Sequence, residues 1–175
     1  MPEGARSAAR SVPLREDVAT ITTPPVAHGE TVLVVDDEPD MVDLIRLALK
    51  GDGYRIETAF DGQAALRRLH EQRPALVLLD WRLPGMDGLE VCRRLRADAD
   101  VALSEIPVVL VTGMSGSENV AAGFDAGVSD YLTKSFSPAY LRSRVRDWLL
   151  RAPTQARRVV EEVQIEVGQQ HRTAS

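Results

Sequence analysis

Cysteine and histidine are scarce in this sequence of 175 residues, which contains one cysteine and three histidines. Cys92 lies among apolar positions with helical spacing, so we expect a reduced thiol in the protein core and no disulfide. The histidines fall in a linker, a helix and a tail, so none is placed to activate that thiol. Thiol catalysis is therefore not favoured.

Positive charge is also limited, since 21 Lys and Arg are set against 26 Asp and Glu, for a net charge of −5. Without a basic excess, no nucleic-acid partner is expected. No apolar run approaches the roughly 18 residues that a membrane span requires. The N-terminus also lacks the apolar core of a secretory signal. We therefore expect a cytoplasmic protein with no membrane partner.

The hydrophobic content of 44% is sufficient for one domain of ordinary size with tails. Residues 1–29 are rich in Ser, Ala, Thr and Pro without a sustained period, which predicts a flexible N-terminal extension. The domain itself is expected over residues 30–150. For the C-terminal tail, residues 151–175, a short helix and disorder are both open.

Short apolar runs alternate with amphipathic helical patterns five times from Thr31 onward. The runs, each of strand length, are Thr31–Val35, Tyr54–Ala59, Ala75–Leu79, Ile106–Val111 and Asp130–Thr133. The first helix is marked by one face of apolar residues, Met41, Leu44, Ile45 and Ala48, and the fourth by Val120 and Phe124. This alternation predicts an α/β fold, a doubly wound sandwich with a five-stranded parallel sheet and helices on both faces.

Polar side chains follow four of the five predicted strands. They are Asp36 and Asp37 after the first, Asp80 after the third, Thr112 after the fourth and Lys134 after the fifth. Ligand sites of parallel sheets collect at this edge. Helix capping would explain each aspartate singly, but it does not predict a hydroxyl and an ammonium beside them. We therefore expect a shared site for an anionic ligand.

Converging carboxylates repel, by roughly 4 kcal/mol for two unit charges about 4 Å apart at an effective dielectric near 20. Lys134 and a Mg²⁺ ion bound by oxygen ligands would relieve that repulsion. A carboxylate beside a metal, a lysine and a hydroxyl is suited to accept a phosphoryl group. The sequence has no phosphate-binding GxxxxGK[ST] loop, no GxGxxG after the first strand and no Ser or Cys paired with a His.

Four segments together closely resemble the receiver domain of two-component response regulators. They are VLVVDDEPD at 32–40, LVLLDWRLPGMDGLEV at 76–91, PVVLVTG at 107–113 and DYLTKSF at 130–136. The resemblance covers about residues 30–150 and implies a flavodoxin-like sheet with strand order 2-1-3-4-5. It also implies that Asp80 is the phosphoacceptor, with Lys134 paired to the phosphoryl group.

The same resemblance implies a metal site and a switch. Mg²⁺ would be held by Asp36, Asp37, Asp80 and the backbone carbonyl of Arg82. Thr112 and Tyr131 would form the switch pair, changing the surface made by the fourth helix, fifth strand and fifth helix.

Two features bear on how fast this switch would work. Receivers usually have proline after the lysine, where this chain has Ser135, so we expect an altered or more mobile loop at Lys134. Arg82 and Met114 occupy the two variable positions beside the phosphorylation pocket, and we hypothesise that they slow hydrolysis of the phosphoryl group.

These features predict a stand-alone response regulator that receives phosphoryl from a histidine kinase or phosphotransfer protein and signals to a downstream protein. Phosphorylation-dependent homodimerisation stays open. Its only catalysis would be of its own phosphorylation and dephosphorylation. The alternative is a receiver-like interaction module that acts without phosphorylation. A free-standing phosphatase is a third possibility, but it would need an acid/base aspartate where Arg82 stands.

Overall fold

A computed structural model describes residues 29–114 and 116–151 of the chain. The predicted N-terminal extension and C-terminal tail therefore lie outside the described residues, apart from Gly29 and Arg151. No helix within the described ranges is long and apolar enough to cross a membrane.

The core of the fold is a parallel sheet of five strands. They are β1 (Thr31–Val35), β2 (Arg55–Ala59), β3 (Leu76–Leu79), β4 (Val108–Thr112) and β5 (Asp130–Thr133). The strand order is β2-β1-β3-β4-β5, with every neighbouring pair parallel. The predicted fold class and strand order are confirmed.

Within residues 29–114 and 116–151, six helices connect and follow the strands. They are α1 (Pro39–Leu49), α2 (Gly62–Gln72), α3 (Gly88–Arg96), α4 (Val101–Ser104), α5 (Ser117–Asp125) and α6 (Pro138–Arg151). The single-turn helix α4 is not predicted by the sequence pattern. The fourth and fifth predicted helices are therefore α5 and α6.

Alternate residues of the central strands supply two separate hydrophobic clusters, as the two-residue period of a strand requires. Leu33 and Val77 belong to the cluster that includes residues of α2 and α3. Val34 and Leu78 belong to the cluster that includes residues of α1 and α6. Because both faces are covered, the central strands β1, β3 and β4 are buried and almost continuously apolar.

Two apolar residues assigned to the helical patterns are more exposed than those patterns indicate. Leu44 in α1 is 40% exposed and Phe124 in α5 is 51% exposed. In α1 the core contact is made by Ile45 and Ala48, which are buried. The apolar face of each helix is thus narrower than the spacing predicts.

The edge of the sheet opposite the polar strand ends is held by one arginine. The Arg96 guanidinium at the end of α3 donates to the carbonyl oxygens of Gly127, Ser104 and Ile106, each at 2.8 Å. Charged donors make strong hydrogen bonds of this kind. Arg96 therefore links α3 to the end of α4 and to the turn before β5.

Candidate functional site

Three polar side chains are buried at the carboxyl edge of the sheet. Asp36 is 2% exposed, Asp80 is 4% exposed and Thr112 is 1% exposed, and these are the only buried polar residues in the described part of the chain. Burying such groups is costly unless they are paired. Their position at one edge therefore identifies the site without reference to any motif.

Main-chain hydrogen bonds extend the sheet one residue beyond the strands and so fix these positions. The Asp36 N–H donates to the Ala59 carbonyl at 3.1 Å, and the Asp80 N–H donates to the Val35 carbonyl at 2.8 Å. The Lys134 N–H donates to the Thr112 carbonyl at 2.9 Å. The backbone therefore holds the acidic residues and the lysine in register.

The Lys134 ammonium joins three carboxylates. Its Nζ lies 2.9 Å from Asp36 Oδ2, 3.1 Å from Glu38 Oε1 and 3.2 Å from Asp80 Oδ2. Burial lowers the pKa of Lys134, but hydrogen bonds to Asp36 and Glu38 and the charge of Asp80 outweigh it, so the pKa is raised overall. Lys134 is therefore a fixed positive charge beside Asp80.

Four acidic residues, here called the acidic pocket, bring their carboxylate oxygens together: Asp36, Asp37, Glu38 and Asp80. One oxygen from each lies within 4.8 Å of the others. Burial raises the pKa of Asp36, although the Glu38 N–H and Lys134 act in the opposite direction. A set of close oxygen ligands around a buried carboxylate fits a hard divalent ion such as Mg²⁺.

Glu38 is the member of the acidic pocket that sequence reasoning missed. Its carboxylate is separated from Lys134 by 96 positions in the chain, yet the two are in contact. The only signal in the sequence is that Glu38 directly follows Asp36 and Asp37 and precedes Pro39.

Two other aspartates near this edge serve a different purpose. Asp61 accepts from the Ala64 N–H at 2.7 Å and begins α2. Asp87 accepts from the Glu90 N–H at 2.8 Å and begins α3. Capping therefore explains these two residues, whereas Asp80 is paired with Lys134.

The predicted switch residues meet at the main chain of Met114. The Thr112 hydroxyl accepts from the Met114 N–H at 3.3 Å. The Tyr131 hydroxyl donates to the Met114 carbonyl. The Tyr131 ring packs against the core cluster that contains Leu110, and burial, followed by the charge of Asp80, raises the pKa of Tyr131. Both residues thus hold the same loop after β4.

The remaining predicted site residues lie around the acidic pocket. Arg82 is exposed and Met114 is half-buried, and their proposed influence on hydrolysis stays a prediction, as does the Arg82 carbonyl as a metal ligand. The Ser135 N–H donates to the Thr133 carbonyl at 2.8 Å. Proline could not make that bond, because it has no N–H.

Comparisons with known proteins agree on one family. The family model described as "Response regulator receiver domain" matches residues 32–146, more than half of the chain. The DNA-binding response regulator MtrA of Mycolicibacterium smegmatis is 42% identical over 122 residues, which are 70% of this chain and 51% of that protein. The phosphate regulon transcriptional regulatory protein PhoB of Pseudomonas aeruginosa is 38% identical over 123 residues, which are 70% of this chain and 53% of that protein.

Solved structures give the same result. The chemotaxis response regulator CheY4 of Vibrio cholerae is similar with a TM-score of 0.63 and 27% identity, over 68% of this chain and 98% of that one. The BeF3-activated N-terminal receiver domain of RstA from Klebsiella pneumoniae has a TM-score of 0.62 and 32% identity, over 69% of this chain and 98% of that one.

The relatives overturn the expectation that no nucleic-acid partner is involved. That expectation rested on the net charge of −5, but MtrA is named a DNA-binding response regulator. The chain spans about half the length of the curated relatives it matches. DNA affinity depends on local phosphate contacts, so the net charge of this segment does not predict whether a longer protein that contains it binds DNA. By its family match, its sheet topology and its relatives, the chain belongs to the receiver domain family of two-component response regulators.

Proposed function

We propose that Asp80 accepts a phosphoryl group from a histidine kinase or a phosphotransfer protein. The observation that carries this proposal is the pairing of the Asp80 carboxylate, which is only 4% exposed, with the Lys134 ammonium at 3.2 Å. A buried carboxylate that held only a structural ion pair would not account for the additional acidic oxygens around it. Those oxygens fit a site for a divalent ion and a charged ligand.

In the proposed reaction, an Asp80 carboxylate oxygen forms a bond to phosphorus while the bond from phosphorus to the donor's histidine nitrogen breaks. The electron pair of that bond stays on the imidazole, which is released with the protein donor. Lys134 neutralises oxygens of the transferring group. Hydrolysis later occurs when water attacks phosphorus and the bond from phosphorus to the Asp80 oxygen breaks, which releases inorganic phosphate and returns Asp80 to a carboxylate.

Asp36, Asp37, Asp80 and the backbone carbonyl of Arg82 would hold Mg²⁺ in this site. The ion would supply positive charge to the phosphoryl oxygens during transfer. In addition, Arg82 and Met114 flank the site and tune how readily water reaches the phosphoryl group. We propose that the protein catalyses only its own phosphorylation and dephosphorylation.

The signal leaves the site through Thr112 and Tyr131. A phosphoryl group adds roughly −1.5 to −2 units of charge and three acceptor oxygens at Asp80. The Thr112 hydroxyl then turns from the Met114 N–H toward one of those oxygens. Because Tyr131 holds the carbonyl of the same residue, the surface of α5, β5 and α6 changes with it.

The output of that surface follows the relatives' descriptions. MtrA is named as DNA-binding and PhoB as a transcriptional regulator. On that basis we propose that phosphorylation of this receiver controls an output at DNA in a protein of that kind. Family membership also supports the cytoplasmic location expected from the sequence, which stays a prediction.

The test is phosphorylation by acetyl phosphate with Mg²⁺, followed by intact mass spectrometry. Wild-type protein should gain one phosphoryl group, and Asp80→Asn should gain none, since the amide keeps the shape but lacks the nucleophilic carboxylate. The matched control is Asp125→Asn, an exposed residue at the end of α5, which should behave as wild type. Removing Mg²⁺ with a chelator should abolish the gain. Equal modification of Asp80→Asn would show that Asp80 is not the acceptor. No modification of wild type would instead favour an interaction module that acts without phosphorylation.

A further inference from the structure

All three hydrogen-bond donors of Lys134 are matched by acceptors in the structure. A lysine ammonium has three N–H donors, and Asp36, Glu38 and Asp80 each present one oxygen within 3.2 Å of Nζ. A phosphoryl oxygen that pairs with Lys134 must therefore compete with these carboxylates.

The three carboxylates differ sharply in how easily they can leave. The Glu38 side chain is 64% exposed, whereas those of Asp36 and Asp80 are 2% and 5% exposed. Water can replace the lysine at Glu38, but a buried carboxylate that loses its partner bears the full cost of desolvation. In the proposed phosphorylated state Asp80 carries the phosphoryl group and Asp36 would hold Mg²⁺, so Glu38 is the carboxylate that still competes with the phosphoryl oxygens for Lys134.

The local backbone holds Glu38 over Lys134. Glu38 is the N-cap residue of α1, yet its side chain does not cap the helix and is available for the lysine. Its N–H donates to Asp36 Oδ1 at 2.9 Å, while Asp36 Oδ2 contacts the same lysine. Pro39 follows and restricts the Glu38 backbone to extended conformations. The local sequence and backbone therefore favour the contact between Glu38 and Lys134.

We propose that Glu38 restrains phosphorylation of this receiver by competing with the phosphoryl group for the Lys134 ammonium. Glu38 is a positioning residue, because it acts through Lys134 and does not touch the reacting atoms. This inference rests on the proposed function of Asp80. Its consequence is that occupancy of Asp80 by phosphate, or by a phosphate mimic, competes with the Glu38 contact.

The test measures the affinity for beryllofluoride in the presence of Mg²⁺. Trp81 follows Asp80 and is half-buried, so its fluorescence reports binding, in a Trp148→Phe background that removes the second tryptophan. Glu38→Gln keeps the backbone donor and the size of the side chain but loses its charge. We expect about a two- to fivefold tighter binding, the range for a partly exposed ion pair.

Two further variants make the result specific. Asp40→Asn removes an exposed negative charge from the first turn of α1 and leaves the three carboxylates paired with Lys134 in place, so it should leave the affinity unchanged. Glu38→Ala should bind the mimic more tightly, as Glu38→Gln does, and thermal unfolding establishes that each variant is folded.

The possible outcomes separate this inference from the function on which it rests. Equal or weaker binding by Glu38→Gln would overturn the inference, while the proposed function would stand on binding by wild type. An equal gain in Asp40→Asn would also overturn it, because the cause would then be general charge. If wild type does not bind beryllofluoride through Asp80, the proposed function fails and the inference fails with it.

Discussion

Gly88, the first residue of α3, offers a direct test of how tightly the loop after Asp80 is packed. A Cβ at this position would overlap the Asp80 carbonyl oxygen and would lie 3.0 Å from the Asp80 carbonyl carbon and 3.1 Å from Trp81 Cα. These are backbone atoms, which cannot rotate away as a side chain can. The Gly88 N–H also donates to the Trp81 carbonyl at 2.7 Å. The start of α3 is therefore hydrogen-bonded to the same loop that an added Cβ would displace.

We expect Gly88→Ala to lower the free energy of unfolding by roughly 2 kcal/mol. Overpacking costs about 1–3 kcal/mol, and the obstacle here is main chain, so the upper end of that range applies. Replacing glycine by alanine also restricts the unfolded chain, which returns about 0.4–1 kcal/mol. The steric cost therefore exceeds the entropic gain.

The matched control is Gly113→Ala, at the same edge of the sheet. A Cβ on Gly113 would meet no atom within 4 Å, and its backbone is not in the left-handed region. Only the effect on the unfolded chain remains, so we expect Gly113→Ala to raise the free energy of unfolding by about 0.4–1 kcal/mol. Urea denaturation followed by circular dichroism measures both variants. A Gly88→Ala protein as stable as wild type would refute the packing argument, and so would an equal loss of stability in Gly113→Ala.

Two further predictions concern single side chains. Tyr131→Phe should lower the free energy of unfolding by about 0.5–1.5 kcal/mol, because it removes the hydrogen bond to the Met114 carbonyl. The comparison in urea denaturation is Tyr140→Phe, at a residue that is 52% exposed, and an equal effect of both changes would contradict the reasoning. Cys92 is fully buried and burial raises the pKa of its thiol, so iodoacetamide should modify it slowly in folded protein and rapidly in denaturing urea. Fast alkylation of folded protein, seen by intact mass, would show that the thiol is accessible.

The sheet could be predicted from the sequence because both its faces are covered. Strands buried on both sides, such as β1, read as continuous apolar runs. The bounds of β1 and of the less buried β5 are those predicted. The fourth run was expected at Ile106–Val111, but β4 is Val108–Thr112. Pro107 precedes it and has no N–H to donate to the neighbouring strand.

Contacts between distant side chains could not be predicted in this way. The sequence places Glu38 and Lys134 after two different strands, but the spacing of apolar residues does not predict which carboxylates pair with the lysine. Helix α4 was missed for a different reason, since its four residues are too few to show a helical period. The exposure of Leu44 and Phe124 likewise depends on which neighbouring element covers each helix, which spacing alone does not contain.

The route from Thr112 to Tyr131 passes through the amide and the carbonyl of residue 114, and its side chain takes no part in those two bonds. Any amino acid except proline supplies the same amide and carbonyl. Under the proposal that residue 114 tunes hydrolysis, substitutions there would change the lifetime of the phosphoryl group and leave the contacts of Thr112 and Tyr131 intact, so duration and output could evolve independently.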